Sequence, residues 1–154
     1  MPLISFENSV AIDRPLPEVF QFVSDLQNLP KWNYFVLDVK KVTSGPLGQG
    51  TEFHQVRKTD QQKLRITAFQ HPHALTVETV PPSKPELHRA ITFSGDAKRT
   101  VITDRWSIEL GMPPLLRPLG KARVASAVRE NLSKLKELLE TGGTTLQDGR
   151  TVSA

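Results

Sequence analysis

Two oppositely charged side chains interrupt apolar stretches of this sequence and are its best candidates for chemistry. Arg89 stands two residues before Ile91, and Asp104 lies between Ile102 and Trp106 at the same spacing. In a β-strand that spacing places side chains on one face, so both charges are predicted on an otherwise apolar face. An isolated charge there would cost several kcal/mol, so Arg89 must be paired, hydrated or close to an opening.

These two residues allow three interpretations. In the first, they form a satisfied buried ion pair, or Arg89 lies at a cavity mouth, and the role is structural. In the second, Arg89 and Asp104 orient the polar end of a ligand inside an apolar, water-accessible cavity. In the third, Asp104 is a catalytic acid or base and Arg89 stabilises an oxyanion or enolate. The sequence by itself assigns no catalytic residue.

The elements that must position these side chains follow from apolar periodicity. Alternation predicts strands over about 3–13, 36–43, 50–58, 63–70, 74–80, 86–95 and 100–110, separated by turns rich in Gly, Pro and Asp. Two short helices are expected after the first strand, the first beginning near Pro15 and the second covering Leu26 to Trp32. Residues 115–140 carry apolar side chains at spacings of three and four, which predicts a long amphipathic helix with a kink or loose start near Pro118. The fold class is therefore α+β.

Hairpin pairing connects these strands into one inner face, because directly opposed side chains share a face. The pairing places Arg89 diagonal to Asp104, Ile66 opposite Thr79, and Ala68 opposite Val77. The long helix is the element able to cover this face. A cavity between sheet and helix would be lined by the following candidates: Phe53, Gln55, Ile66, Val77, Thr79, Arg89, Ile91, Phe93, Asp104, Trp106, Val128 and Leu132.

Composition excludes several classes of protein. The chain has 154 residues, 20 Lys and Arg against 16 Asp and Glu, and no cysteine, so disulfides and thiolate zinc sites are excluded. The basic residues are scattered and lack interleaved aromatics, so no nucleic-acid partner is expected. The four histidines fall on the outer face or in turns, and no phosphate-binding loop occurs, so neither a metal nor a cofactor is expected.

Residues 1–140 are interpreted as a single domain, and 141–154 as a disordered tail because they lack apolar periodicity. No stretch approaches the roughly 18 apolar residues of a membrane span, and the first 30 residues lack the layout of a secretory signal. A cytoplasmic protein is therefore expected. The oligomeric state stays open.

Several segments resemble a known family. They are Val10–Asp13 with the following Arg14-Pro15-x-Pro17-Glu18-Val19-Phe20, then Asn28-Leu29-Pro30-Lys31-Trp32, Gly48-x-Gly50-Thr51-x-Phe53, Gly95-Asp96 with Thr100, and Asn131-Leu132-x-x-Leu135-Lys136. Over roughly residues 3–140 the chain resembles the START/Bet v 1-like superfamily, in particular the bacterial SRPBCC group of polyketide cyclases, dehydrases and lipid-transport proteins. The resemblance implies a helix-grip fold, in which a curved antiparallel sheet of about six or seven strands wraps around the C-terminal helix. It also implies that Trp32 and Phe35 lie near the entrance of a cavity.

Three functions are compatible with this sequence. The first is a carrier that binds a small hydrophobic molecule, such as a lipid, isoprenoid, aromatic or polyketide-like compound. The second is a cyclase- or dehydratase-type enzyme that uses the same cavity. The third is a protein-interaction module acting through the polar outer face or the 141–154 segment. A cavity that excludes Asp104 would count against the second function, and a filled interior would favour the third.

Overall fold

A computed structural model describes residues 3–154 of the chain. Its strands are β1 (Leu3–Ile12), β2 (Val36–Lys41), β3 (Glu52–Arg57), β4 (Gln61–Gln70), β5 (Ala74–Thr79), β6 (Leu87–Gly95), β7 (Thr100–Glu109), β8 (Gly143–Thr145) and β9 (Thr151–Ser153). Its α-helices are α1 (Leu16–Ser24) and α2 (Arg117–Thr141), and 3₁₀ segments cover Leu26–Lys31 and Pro114–Leu116.

The first seven strands form one antiparallel sheet in the order β1-β7-β6-β5-β4-β3-β2. Consecutive strands from β2 to β7 are hairpin neighbours, and β1 closes the far edge by pairing with β7. Leucines of α2 share one core with the inner side chains of this sheet, and α1 and the first 3₁₀ segment contribute to the same core. The predicted α+β helix-grip architecture is confirmed.

Predicted pairing is correct where the chain makes simple hairpins. Ile91 lies opposite Asp104, and Arg89 lies opposite Val77 on the other neighbouring strand. Asn8 lies opposite Asp104 on β1, so the inner face continues across the sheet edge. Directly opposed side chains share a face, and this rule holds as long as no residue is inserted in either strand.

A β-bulge in β4 makes the predicted pairing of β4 with β5 wrong. Ile66 pairs with Val77 rather than with Thr79, and beyond the register shift Ala68 pairs with Thr76. The extra residue reverses the alternation, so Phe69 rather than Ala68 packs against the core. The sequence sign of the bulge is Phe69, an aromatic side chain that uninterrupted alternation from Leu64 would place on the polar outer face.

Each α-helix carries a proline in its first turn. Pro118 lies in the first turn of α2, where its missing N–H interrupts no helical hydrogen bond, so the predicted kink does not form there. The helix ends at Gly142, whose φ of 88° is left-handed and whose N–H donates to the carbonyl of Leu138. Between these ends Val128, Leu132 and Leu135 are buried against the sheet.

Residues 143–153 form an ordered hairpin, which differs from the predicted disordered tail. Leu146, between the two strands, is only 3% exposed. The guanidinium of Arg150 donates to the carbonyls of Tyr34 and Val36, at 2.9 and 3.4 Å. Asp148 lies 3.0 Å from the ammonium of Lys58. The hairpin is held by these tertiary contacts, and strands of three residues are too short to display periodicity in the sequence.

The Asp148 contacts predict a specific loss of stability in acid. The hydrogen bond from Lys58, followed by contacts with Arg150, lowers the pKa of Asp148 to about 2. The folded pKa therefore lies below the unfolded value of about 3.9. The contribution to stability is present above about pH 4 and is lost as the pH falls toward 2. In urea unfolding, the destabilisation caused by Asp148→Asn should be largest near neutral pH and should shrink over this range.

Asp38→Asn is the matched control, because the Asp38 carboxylate is half exposed and lies 4.0 Å from its nearest ammonium. If both variants show the same pH dependence relative to the unmodified protein, Asp148 does not anchor the hairpin.

Candidate functional site

A cavity of about 290 Å³ lies between the inner face of the sheet, the N-terminal half of α2 and the segment after α1. Most of its wall is hydrocarbon, from side chains such as Leu29, Val77 and Val124. Arg123 is its exposed lining residue, and the partly exposed ones include residues 33–35, Arg57, Pro85, Leu87, Trp106, Val124 and Ala127. The cavity therefore opens between the loop before β2, the loop before β6 and the first turns of α2.

Eight of the predicted site residues line this cavity. They share the inner face of the sheet, the entrance segment or the buried side of α2, and they are Trp32, Phe35, Gln55, Val77, Arg89, Ile91, Trp106 and Val128. Trp32 and Phe35, for which the family resemblance implied a place near the entrance, belong to the segment before β2. Trp32 itself is almost completely buried, with 1% of its surface exposed.

Four apolar candidates lie on the predicted face but away from the cavity. Phe53, Ile66, Phe93 and Leu132 are in the closed part of the core, and each is at most 2% exposed. Phe93 contacts Phe20 of α1 edge to face, with 4.9 Å between ring centroids. Alternation specifies which face a side chain occupies but not its position along the strand, so it could not separate core from cavity.

Thr79, another candidate, is occupied by a structural hydrogen bond. Its hydroxyl accepts the backbone N–H of Leu87 at 2.9 Å, where β5 ends and β6 begins. It does not line the cavity. The Thr79 side chain therefore connects β5 to β6 and does not contribute to the cavity wall.

The predicted proximity of Arg89 and Asp104 is realised as a two-pronged ion pair. Arg89 Nε donates to one carboxylate oxygen at 2.9 Å, and Nη2 donates to the other at 2.6 Å. Asp104 is completely buried and does not line the cavity, whereas Arg89 lines it. The third guanidinium nitrogen, Nη1, has no hydrogen-bond partner within residues 3–154. Arg89 is thus the member of the pair that is accessible from the cavity, and the carboxylate of Asp104 is not.

Two tryptophans enclose the guanidinium of Arg89. Its central carbon lies 5.3 Å from the ring centre of Trp32 and 4.9 Å from that of Trp106. Each contact is a cation–π interaction, which is strongest where water is excluded. Across the part of the chain that the structure describes, neither indole N–H has a hydrogen-bond partner. The polar end of the cavity is therefore a charged plane between two aromatic rings, with unsatisfied donors close by.

Buried amides form a second polar group that the sequence analysis overlooked in part. Gln55 Nε2 donates to Gln62 Oε1 at 2.9 Å, and Gln62 in turn donates to the carbonyl of Lys84 at 2.8 Å. Gln62 lies two residues before Leu64 on the same face, so alternation contained the signal. The oxygen of Gln55 accepts no hydrogen bond within residues 3–154 and is available as an acceptor.

Other lining residues could not be recognised from alternation, because they belong to loops or to the helix. Asn131 follows Val128 by three residues on the buried side of α2, and its oxygen accepts from Gln147 at 3.2 Å. Tyr34 is fixed by the bond from Arg150, 116 residues away, to its carbonyl. The C-terminal hairpin therefore supports the rim of the cavity from two sides. No local sequence pattern connects a tail to so distant a rim.

Within residues 3–154, no cluster of three or more His, Cys, Asp or Glu side chains could hold a metal ion. None of the helices that the structure describes is long and apolar enough to cross a membrane.

The closed ion pair predicts a large and non-additive effect of mutation. Asp104→Leu leaves a buried guanidinium without a counter-charge, so we expect a destabilisation of about 3–5 kcal/mol in urea unfolding. Arg89→Met should be similarly costly, because it leaves the carboxylate alone. The double variant should recover much of either loss, since replacing a buried pair by apolar side chains is often neutral. Additive losses would show that the two charges do not depend on each other.

The sequence of this chain was compared with protein families and with curated proteins. Residues 4–140 match the family described as "Polyketide cyclase / dehydrase and lipid transport". No curated protein matches the chain.

Three solved structures share the fold. A Thermus thermophilus protein superposes with a TM-score of 0.69 at 16% identity, covering 87% of this chain and 95% of its own. A Deinococcus radiodurans protein gives a TM-score of 0.66 at 16% identity, with 90% and 98% covered. DynU16, a putative protein in the dynemicin biosynthetic locus, gives a TM-score of 0.66 at 21% identity, with 90% of this chain and 48% of that chain covered. The family match covers nearly the whole sheet and helix α2, and the chain belongs to the polyketide cyclase / dehydrase and lipid transport family.

Proposed function

We propose that this protein binds a small, largely apolar and uncharged molecule in the cavity between the sheet and α2. The observation that carries the proposal is the composition of the wall. Hydrocarbon and aromatic side chains surround the guanidinium of Arg89, whose charge is already balanced by Asp104, and the two other lining arginines are partly exposed or exposed. Apolar walls with a few convergent polar groups are typical of small-molecule sites.

Beside Arg89 the charge balance favours a neutral ligand group, whereas Arg123, which forms no salt bridge with the described residues, lines the exposed side of the cavity. An anionic ligand would bring a second negative charge next to the Arg89–Asp104 pair, in a region where charges are poorly solvated. A carbonyl or hydroxyl oxygen, by contrast, can accept from Arg89 Nη1, and a hydroxyl proton can be donated to Gln55 Oε1. The ligand is thus an apolar ring or short chain with an oxygen substituent.

Size limits the ligand as well. The cavity volume of about 290 Å³ lies at the lower end of the range of roughly 300–1,000 Å³ that is usual for small-molecule sites. A compact ring compound fits this volume better than a two-chain lipid.

A cyclase- or dehydratase-type enzyme is the second candidate, and the family description favours it. Such chemistry needs a group that accepts or donates a proton within hydrogen-bond reach of the substrate. The described residues that line the cavity include no Asp, Glu, His, Lys or Cys, and Asp104 lies behind Arg89. Tyr34, at the partly exposed rim, is the lining side chain with a proton to transfer. Arg89 Nη1 can polarise a carbonyl, but it cannot serve as a base. Binding is therefore the better-supported function, and the open cavity also counts against a module that acts only through its surface.

Native mass spectrometry of the purified protein, followed by denaturing extraction, tests binding directly. We expect a stoichiometric adduct that is small, apolar and uncharged. An extracted carboxylic acid or phosphate ester would contradict the neutral-ligand proposal.

A pair of fluorescent probes tests the same proposal in solution. N-phenyl-1-naphthylamine and anilinonaphthalene sulfonate share one aromatic skeleton, and only the second carries a negative charge. Both tryptophans of the chain line the cavity, so energy transfer from them reports occupancy. We expect saturable binding of the amine and at least roughly tenfold weaker binding of the sulfonate, the factor that corresponds to about 1.4 kcal/mol.

Ala127→Phe should abolish binding of the neutral amine, because Ala127 lines the cavity and the added ring would occupy it. Ser126→Phe is the matched control, since Ser126 is exposed on the neighbouring face of the helix. Urea unfolding must first show that both variants fold, because overpacking costs about 1–3 kcal/mol. Equal binding by a folded Ala127→Phe variant would place the probe outside this cavity.

A further inference from the structure

The entrance to α2 carries three leucines that pack against almost nothing. Leu115 is 94% exposed, Leu119 is 62% exposed and Leu116 is 51% exposed. They lie within five residues of one another, on the 3₁₀ segment and the first turn of the helix. Scattered exposed leucines are ordinary, but a contiguous group indicates a surface that meets something apolar. We call residues 115–123 the leucine tip.

The leucine tip lies in the most one-sided charge distribution of the chain. From residue 110 to residue 129 there are four basic residues and no Asp or Glu. These are Arg117, Lys121, Arg123 and Arg129, and their charge equals the formal net charge of +4 for all 154 residues. None of the four forms a salt bridge with any residue in 3–154. The basic residues are scattered in general, but this segment concentrates uncompensated positive charge around exposed leucines.

The tip is also fixed in place. Gly120 is buried, and a Cβ atom there would lie 2.5 Å from Met112 Sδ and 3.1 Å from Leu110 Cδ1. Met112 and Leu110 therefore pack directly on the backbone of the first helical turn. The leucines project from a packed turn rather than from a loose loop.

We propose that the leucine tip docks on an anionic lipid surface. Exposed leucines insert at the boundary between headgroups and acyl chains, and neighbouring Lys and Arg side chains are attracted by anionic headgroups. A second copy of this chain fits less well, because a symmetric contact through the tip would bring six basic side chains together without a carboxylate. Leu115 is almost fully exposed, at 94%, so the tip offers a partner protein a protrusion rather than a groove.

Docking would bring the cavity rim to the lipid surface. Arg123 and Val124 line the cavity and follow Leu119 by about one helical turn, which is roughly 6 Å along the axis. An apolar ligand could then pass between bilayer and cavity without crossing bulk water. This last consequence rests on the proposed binding function, whereas docking itself does not.

Vesicle cosedimentation tests docking. We expect binding to vesicles of equimolar phosphatidylcholine and phosphatidylglycerol that weakens with added salt, and little binding to pure phosphatidylcholine. Leu115→Gln with Leu119→Gln should weaken binding roughly tenfold or more, because both apolar anchors are lost. Lys121→Gln should weaken it roughly fivefold, the effect of one basic charge near an anionic surface.

Matched controls separate the tip from general surface properties. Val42→Gln removes another exposed apolar side chain, 54% exposed, and Lys98→Gln removes another exposed lysine. Both should bind vesicles like the unmodified protein. Equal losses in tip and control variants, or no preference for anionic vesicles, would overturn the proposal.

Size-exclusion chromatography with light scattering tests whether the leucine tip binds a second copy of this chain instead of lipid. A dimer that dissociates in the double leucine variant would assign the tip to self-association and overturn lipid docking. The Ala127→Phe variant should still bind vesicles while losing the naphthylamine probe, so that the failure of docking and the failure of ligand binding can be told apart.

Discussion

The buried pair of Arg89 and Asp104 is the constraint on which the inner face depends. Two charges can remain in this apolar interior only while both prongs of the contact, 2.9 and 2.6 Å long, are intact. That geometry requires β6 and β7 to keep one register, because the two residues are diagonal neighbours across the sheet. The same contact leaves one guanidinium nitrogen without a hydrogen-bond partner among the described residues, on a side chain that lines the cavity and lies between Trp32 and Trp106. The strand register, the polarity of the cavity and the stacking on the two tryptophans therefore all depend on the Arg89–Asp104 contact.

The ion pair also determines which interactions Arg89 and Asp104 can offer to a molecule in the cavity. A free arginine would select anions, and a free aspartate would act as a proton acceptor. Paired as they are, the two residues retain only hydrogen-bond donation from Nη1, while the remaining wall is mostly apolar. The family is described by cyclase, dehydrase and lipid-transport functions.

The sequence predicts those features that depend on local periodicity and on tight hairpins. Alternation is sufficient to assign Arg89 and Asp104 to one face and within reach of each other, because the β6–β7 hairpin contains no inserted residue. It fails at Ala68, where a bulge reverses the face, and it cannot separate Phe93 in the core from Ile91 at the cavity. Those distinctions depend on where α1 and α2 cross the sheet, which is information about packing rather than pattern. The C-terminal hairpin was missed for the same reason.

The C-terminal hairpin contacts the cavity lining through a hydrogen bond to α2. Asn131 lines the cavity and also accepts a hydrogen bond from Gln147, at 3.2 Å. Under the proposed binding function, a ligand that competed with Gln147 for the Asn131 oxygen would loosen the hairpin. By thermodynamic reciprocity, the anchored hairpin changes the affinity for that ligand by the same factor. In that case ligand occupancy and the anchoring of the hairpin would be two readouts of one equilibrium.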